Sequence, residues 1–332
     1  MRFVQLENTG GRRLALVEEP CLRLLSGHSS IYGLAQAAIA NGRTIGAEVA
    51  DKLSSEALDY DAVYDGASEW KILPAADHPE EPARCLVTGT GLTHMASARN
   101  RQAMHAKEEE LTDSMRMYRW GVEGGKPVPG TVGAAPEWFD KGCGTTLRGH
   151  NAALEIPGFS NDGGEEPEIA VVYLIDTRGV PRRVGFTTGN EFSDHELERR
   201  NYLYLAASKL RTCAIGPELV MGVDFRSPRG EVTIERAGQV LWQKPIQSGE
   251  AAMSHSLENL EHHHFKFEAH RRPGDVHVHF LGADAFSFGE GIRLQDGDLM
   301  QVRWDGFGRA LHNQVRRIPP DERIVRVEAL ER

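Results

Sequence analysis

Three glutamates carry the clearest chemistry in this sequence. Glu166 and Glu168 stand two apart at the mouth of the apolar run Ile169 to Ile175, so on a strand both carboxylates project from one face. Glu191 follows Gly189 and Asn190, just after a second apolar segment, Val184 to Thr188, that makes a natural partner strand. Three converging carboxylates repel one another unless a cation sits among them. Oxygen-only ligands favour a hard ion, Mg2+ first and Mn2+ or Ca2+ next. The plainer alternative is a solvated acidic turn after Asp162-Gly163-Gly164. Further along, a segment rich in Leu, Tyr and Ala reads as helix and ends on Lys209, followed by Cys213-Ala214-Ile215-Gly216-Pro217. A lysine beside a bound cation can hold an anionic substrate or move a proton, and Gly-Pro fixes a tight turn.

The elements that must position these groups can be read from the chain in order. Phe3 to Leu6 and Leu14 to Val17 read as two strands around the Gly10-Gly11 turn, and Ser30 to Leu53 has helical spacing with Ser29 or Ser30 as cap. This gives a small N-terminal α/β unit over residues 1–75, then a proline-rich and acidic linker, then a catalytic unit over 83–332 that opens on the buried strand Ala83 to Thr88. Ser97 to Asp113 reads as a polar helix, and Leu219 to Val240 as short strands with turns. Ser254 to Phe267 reads as a helix capped by Ser254, and the C-terminal stretch alternates like a strand.

Other residues invite a chemical reading. Arg119 sits among aromatics before a Gly/Pro-rich loop and can clamp a carboxylate; a surface arginine packed on an aromatic is the plainer alternative. His262, His263 and His264 are consecutive and cannot share a helix face, so they do not chelate one ion together. His277 and His279 point the same way on a strand, as half a transition-metal site or as cavity-lining donors.

Composition narrows the function classes. The chain has 332 residues, with 40% hydrophobic and 26% charged content, as in a soluble globular protein. A net charge of −10 argues against general nucleic-acid binding and against anionic membrane surfaces. There is no signal-like apolar region and no apolar run near the length of a membrane span, and the four separated cysteines read as reduced thiols of a cytoplasmic protein.

Taken in order, Glu166-Pro167-Glu168-Ile169, Gly189-Asn190-Glu191 with Asp194, Ser208-Lys209, Ile215-Gly216-Pro217, Arg272-Pro273-Gly274-Asp275-Val276 and Gly297-Asp298 resemble the signatures of the fumarylacetoacetate hydrolase superfamily. The resemblance runs from about Cys85 to Asn313. It implies an α+β fold, a mixed β-roll catalytic domain beside the small N-terminal α/β domain, and Mg2+ held by Glu166, Glu168 and Glu191. It also implies a homodimer or larger homo-oligomer. The family normally has Asp at the third ligand position, where this chain has Glu191.

Within that superfamily the sequence departs from the hydrolases of acylpyruvate type. The stretch Gly89 to Ser97 lacks their N-Y pair and has no Glu three places after His94. It is more similar to the G-V-T-x-x-x-S stretch of the 2-keto-3-deoxy sugar acid dehydratases, the pentonate branch, and Trp138-Phe139-Asp140-Lys141-Gly142 is similar to that branch's F-x-K-G. The resemblance therefore implies metal-dependent dehydration of a small 2-keto acid. Lys209 moves protons, Thr93, His94, Ser97 and Lys141 belong to the catalytic set, and Arg119, Gly216, Pro217 and Gly282 to the substrate-binding set. Two features keep rivals in view. His105 and Glu108 supply a hydrolase-like His-Glu pair in a charged helical segment, which favours C-C bond hydrolysis of an acylpyruvate or diketo sugar acid. Glu191 for Asp, and Ala283 where the family often has Thr, favour a binding protein without turnover.

Overall fold

The computed structural model describes residues 1–105, 112–321 and 323–330. The organising element is the strand over Pro167–Ile175, buried along its whole length. Its near-continuous apolar run suits a strand covered on both faces. Ile169, Val171, Tyr173 and Ile175 point into one core, and Ala170, Val172 and Leu174 into another.

In chain order the N-terminal strands are β1 (Arg2–Asn8), β2 (Gly11–Glu18), β3 (Cys21–Leu25), β4 (Leu53–Asp59) and β5 (Lys71–Ile72). Next come β6 (Cys85–Gly91), β7 (Glu137–Cys143), β8 (Leu147–Arg148), β9 (Leu154–Ile156), β10 (Pro167–Ile175) and β11 (Pro181–Asn190). The remainder are β12 (Cys213–Val220), β13 (Arg229–Arg236), β14 (Gln239–Gln247), β15 (Val276–Phe280), β16 (Leu299–Trp304) and β17 (Leu311–Arg317). The helices are α1 (Ile31–Ala40), α2 (Ile45–Ala50), α3 (Tyr60–Tyr64), α4 (Met95–His105), α5 (Asp113–Gly124), α6 (His195–Arg200), α7 (Leu205–Lys209) and α8 (Leu257–Phe265).

The larger sheet runs β4-β3-β2-β1-β12-β11-β10-β15-β6-β7, with β5 on β1 and β8 on β12; the smaller runs β14-β13-β16-β17-β9. One core lies between the sheets, joining Ile169 and Val171 to Val232, Ile234, Met300, Val302 and Trp304. The other packs the opposite face of the large sheet against Ile31, Leu34 and Val49 of α1 and α2. The fold is α+β, as the resemblance implies. No helix among the described residues is long and apolar enough to cross a membrane.

The strands expected around the glutamates form: β10 pairs antiparallel with β11, with Glu168 opposite Gly189. The two N-terminal strands and the Ser30 cap, whose side chain accepts from Gly33 N, also form. Some expectations fail for local reasons. The helix expected over Ser30 to Leu53 breaks at Asn41-Gly42, where Gly42 adopts a φ of +61°, and resumes as α2. The cap of the helix expected over Ser254 to Phe267 is Ser256, which accepts from Asn259 N, while Ser254 N donates instead to Thr93 O. The described residues beyond 320 form no strand, and Ile324, Val325 and Val327 are exposed: alternation alone makes no strand without an edge to pair with or a core to face.

Candidate active site

Register and one turn bring the three glutamates together. Pro167–Ile175 and Pro181–Asn190 end at the same edge, so Glu168 emerges beside Gly189 and the chain beyond Asn190 folds back, with Glu191 N donating to Glu166 O at 2.9 Å. Ligand oxygens of Glu166, Glu168 and Glu191 lie within 4.8 Å of one another, and all three side chains are buried. The longer Glu191 still reaches the cluster.

Two lysines and a histidine balance part of this charge. Lys209, at the end of α7, donates to Glu166 Oε1 and Glu191 Oε2 at 2.7 Å each and to Ser193 Oγ at 3.0 Å, and its Nζ lies 4.7 Å from the centre of the Phe139 ring. Lys141, on β7, places its Nζ 2.5 Å from Glu191 Oε1 and donates to Phe192 O and Lys209 O. His195 Nε2 lies 2.9 Å from Glu166 Oε1. Glu168 is the exception: its Oε2 accepts from Gly282 N at 2.6 Å, and no cationic side chain pairs with it among the described residues.

The electrostatics follow. Burial pushes Glu168 well above the usual carboxylate range, and the charges of Glu191 and Glu166 push it further. Burial also pushes Glu191 up to about 7, against the pull of Lys141 and Lys209. For Glu166 burial is outweighed by Lys209 and His195, which hold it well below its ordinary value. His195 is raised: burial disfavours its charge, but the hydrogen bond to Glu166 and that carboxylate's charge win. Glu168 is thus the carboxylate whose ionised form the protein's own cations do not pair, and the donors converging beside it are oxygens. A hard divalent cation fits that deficit.

The remaining expected residues divide by location. Thr93 and Gly282 form the wall behind Glu168. Thr93 Oγ1 donates to Leu281 O at 2.8 Å, and a Cβ on Gly282, whose φ is +99°, would stand 2.0 Å from Thr93 Oγ1. His94 Nδ1 lies 2.9 Å from Thr93 Oγ1, its Nε2 has no partner among the described residues, and burial pushes it down to about 4. Ser97 Oγ donates to His94 O at 3.3 Å. Arg119 is exposed on α5. Gly216 and Pro217 lie in β12 on the side of the N-terminal layer, near Ala75, His150 and Leu311. The His105-Glu108 pair falls outside the residues whose side chains are described.

Sequence reasoning missed His195, Ser193 and Glu165. Glu165 accepts from Ser287 N at 2.6 Å and Ser287 Oγ at 2.8 Å, and burial pushes it up to about 7. His195 had a signal: Asp194 caps α6 by accepting from Leu197 N, which places the next residue in the first turn, facing back along the chain toward Glu166. His277 and His279 gain neighbours that sequence could not supply. His264 Nε2 lies 2.9 Å from His277 Nδ1, His279 Nδ1 lies 2.8 Å from Thr88 Oγ1, and the His270 and His264 rings lie tilted with their centres 4.7 Å apart.

No family model matches the chain. The probable 2-keto-3-deoxyxylonate dehydratase of Haloferax volcanii is 30% identical over 185 residues, 54% of this chain and 60% of that protein. The 2-dehydro-3-deoxy-D-arabinonate dehydratase of Saccharolobus solfataricus is 31% identical over 118 residues, 34% of this chain and 38% of that protein. The chain thus aligns with less than two thirds of the length of these curated relatives. Among solved structures, 2-keto-3-deoxy-D-arabinonate dehydratase complexed with magnesium and 2,5-dioxopentanoate superposes with a TM-score of 0.71 at 20% identity, covering 96% of this chain and 100% of that one. The chain shares the fold of these dehydratases and is similar to them in sequence over part of its length. A more distant likeness within the same fold, the 5-carboxymethyl-2-hydroxymuconate delta-isomerase of Mycobacterium smegmatis, has a TM-score of 0.59 at 17% identity over 96% of this chain and 99% of that one. In this chain the third acidic position is Glu191, and two lysines, Lys141 and Lys209, hold it.

Proposed function

We propose that this protein is a Mg2+-dependent dehydratase of a 2-keto-3-deoxy sugar acid of pentonate type, acting in the cytoplasm as a homodimer or larger assembly. The observation that carries the reading is Glu168: a buried carboxylate two residues from Glu166, converging with Glu191, and without a protein cation of its own. Glu166, Glu168 and Glu191 would hold the ion. When bound, a divalent cation supplies Lewis-acid polarisation of a 2-keto acid, which makes the neighbouring C3 proton easier to remove. The dehydratase activities of the similar proteins, and the magnesium and 2,5-dioxopentanoate of the solved neighbour, support this choice of reaction.

The chain's own residues do the rest. Lys209 Nζ is an ammonium held between two carboxylates, buried and covered by Phe139, so it can donate a proton to the C4 hydroxyl as it leaves as water. If Glu166 and Glu191 turn away from Lys209, its ammonium loses the anions that hold its proton, and the same Nζ can accept the proton from C3. Lys141 fixes Glu191 and the loop carbonyls of Phe192 and Lys209. Gly282 N–H orients Glu168, with Thr93 bracing the turn behind it. Loss of the C3 proton and the C4 hydroxide removes one water, and tautomerisation gives a 2-keto product with a new carbonyl. For a pentonate that product is 2-oxoglutarate semialdehyde.

The test is to incubate the purified protein and Mg2+ with a panel of 2-keto-3-deoxy pentonates and hexonates, beside acylpyruvates, and to weigh the products. A product lighter by one water, abolished by EDTA and by Glu168→Ala, is the expected result. Two fragments, one of them a small 2-keto acid, would replace dehydration by C-C bond hydrolysis. Tight binding of a sugar acid without conversion would make the chain a binding protein.

A further inference from the structure

We propose that a basin on the outer face of α6 is an effector site for a small dianion, and that its occupancy is relayed to Glu166 through Phe288 and His195. The basin has a volume of about 870 Å³ and is lined by Arg199, Arg200, Arg293 and Arg317, with Glu196, Asp162, Asn161 and Leu294. Four guanidinium groups against two carboxylates leave the lining with two positive charges in excess, in a chain whose net charge is −10. Such a basin concentrates multivalent anions locally even though the molecule as a whole repels them.

The cations are unequally used. Arg199 donates to Glu196 Oε2 at 2.6 and 2.9 Å, and Arg293 to Glu196 Oε1 at 3.1 Å. Arg200 and Arg317 have no carboxylate partner among the described residues. Planar forks with free donors match the paired oxygens of a dicarboxylate or a phosphate ester, so the shared ligand chemistry is an oxyanion with two negative charges.

The relay is a chain of contacts. The Arg293 guanidinium stacks 3.8 Å from the centre of the Phe288 ring, the Phe288 and His195 ring centres lie 5.0 Å apart, and His195 Nε2 lies 2.9 Å from Glu166 Oε1. Helix α6 itself has two faces. His195 and Glu198 are buried towards the acidic centre, while Arg199 and Arg200 are exposed at the basin. A dianion that draws Arg293 and Arg199 away from Glu196 therefore shifts the helix that carries a ligand-contacting histidine. Coupling of this kind is reciprocal between the two sites.

The experiment uses the full chain freed of metal by EDTA and dialysed, so that it needs neither substrate nor turnover and stands apart from the dehydratase assay. Inorganic pyrophosphate and glutarate are titrated calorimetrically at fixed ionic strength, with the His195 imidazole resonances followed in parallel. Saturable binding of at least one probe is expected, weakened tenfold or more in the double variant Arg200→Ala/Arg317→Ala at unchanged melting temperature, with His195 resonances moving as the site fills. The tighter of the two probes assigns the natural ligand to the phosphate or the carboxylate class. Absence of saturable binding, or equal affinity in the double variant, overturns the site. Binding that is lost in the double variant but leaves the His195 resonances fixed in the wild type overturns the relay.

Discussion

Glu168 is the residue on which stability and chemistry disagree. A buried carboxylate that faces two others without its own cation opposes folding, and this is the cost of keeping a cation site ready. Glu168→Gln should therefore raise the stability of the metal-free protein by roughly 1–3 kcal/mol while removing its stabilisation by Mg2+, as thermal melts with EDTA and with added Mg2+ will read. A variant less stable in both conditions would mean that Glu168 is structural. Lys141 predicts the opposite sign. Fully buried, it holds Glu191 and two loop carbonyls, so Lys141→Met takes one of two cations from Glu191 and the lysine donor from both carbonyls and should cost roughly 3–5 kcal/mol in chemical denaturation.

At the scale of elements, the turn after β15 sets Glu168. Gly282 has a φ of +99° with its hydrogen in the space a methyl would need, so Gly282→Ala meets both strain and Thr93. The variant should lose roughly 2 kcal/mol or more of stability, and its activity should fall further than that of Ser97→Ala, because the N–H that orients Glu168 moves. The contact of β15 with α8 gives a pH dependence. Burial pushes His277 and His279 down to about 3, with further lowering from the charge of neighbouring histidines. In the unfolded chain they take up protons near pH 6.5, so the stability from burying them neutral is complete above that pH and is lost as pH falls toward 3. Each should cost roughly 1.4 kcal/mol at pH 5.5 relative to neutral pH. Urea midpoints at pH 7.5 and 5.5 should converge in His279→Val relative to the wild type; an unchanged difference would show that the histidine is protonated in the fold.

At the scale of the molecule, the division of the chain into a unit over 1–75 and one over 83–332 is a proposal with a structural consequence. β1 pairs with β12, placing Phe3 opposite Leu219, and Arg2 and Tyr60 both bind the buried Glu218. A chain beginning at residue 83 would carry an open sheet edge and a carboxylate without those two partners. We expect it to be insoluble or unfolded by circular dichroism, and a folded monomer would show that the two units are independent.

By itself the sequence determined the parts that depend on neighbours along the chain. Alternation and apolar runs marked β10 and β11, Ser30 marked the start of α1, and the order of short motifs pointed to the dehydratases whose fold the chain shares. It also placed Glu166 and Glu168 together, because strand geometry fixes the directions of residues two apart. Only the tertiary structure decided which charges meet. Lys141 and Glu191 are far apart along the chain and touch because β7 and the turn after β11 converge, and the same packing drew His195 into the centre. Local preference acts through the backbone of a few residues. The balance of buried charge that gives Glu168 its role is a sum over the whole fold.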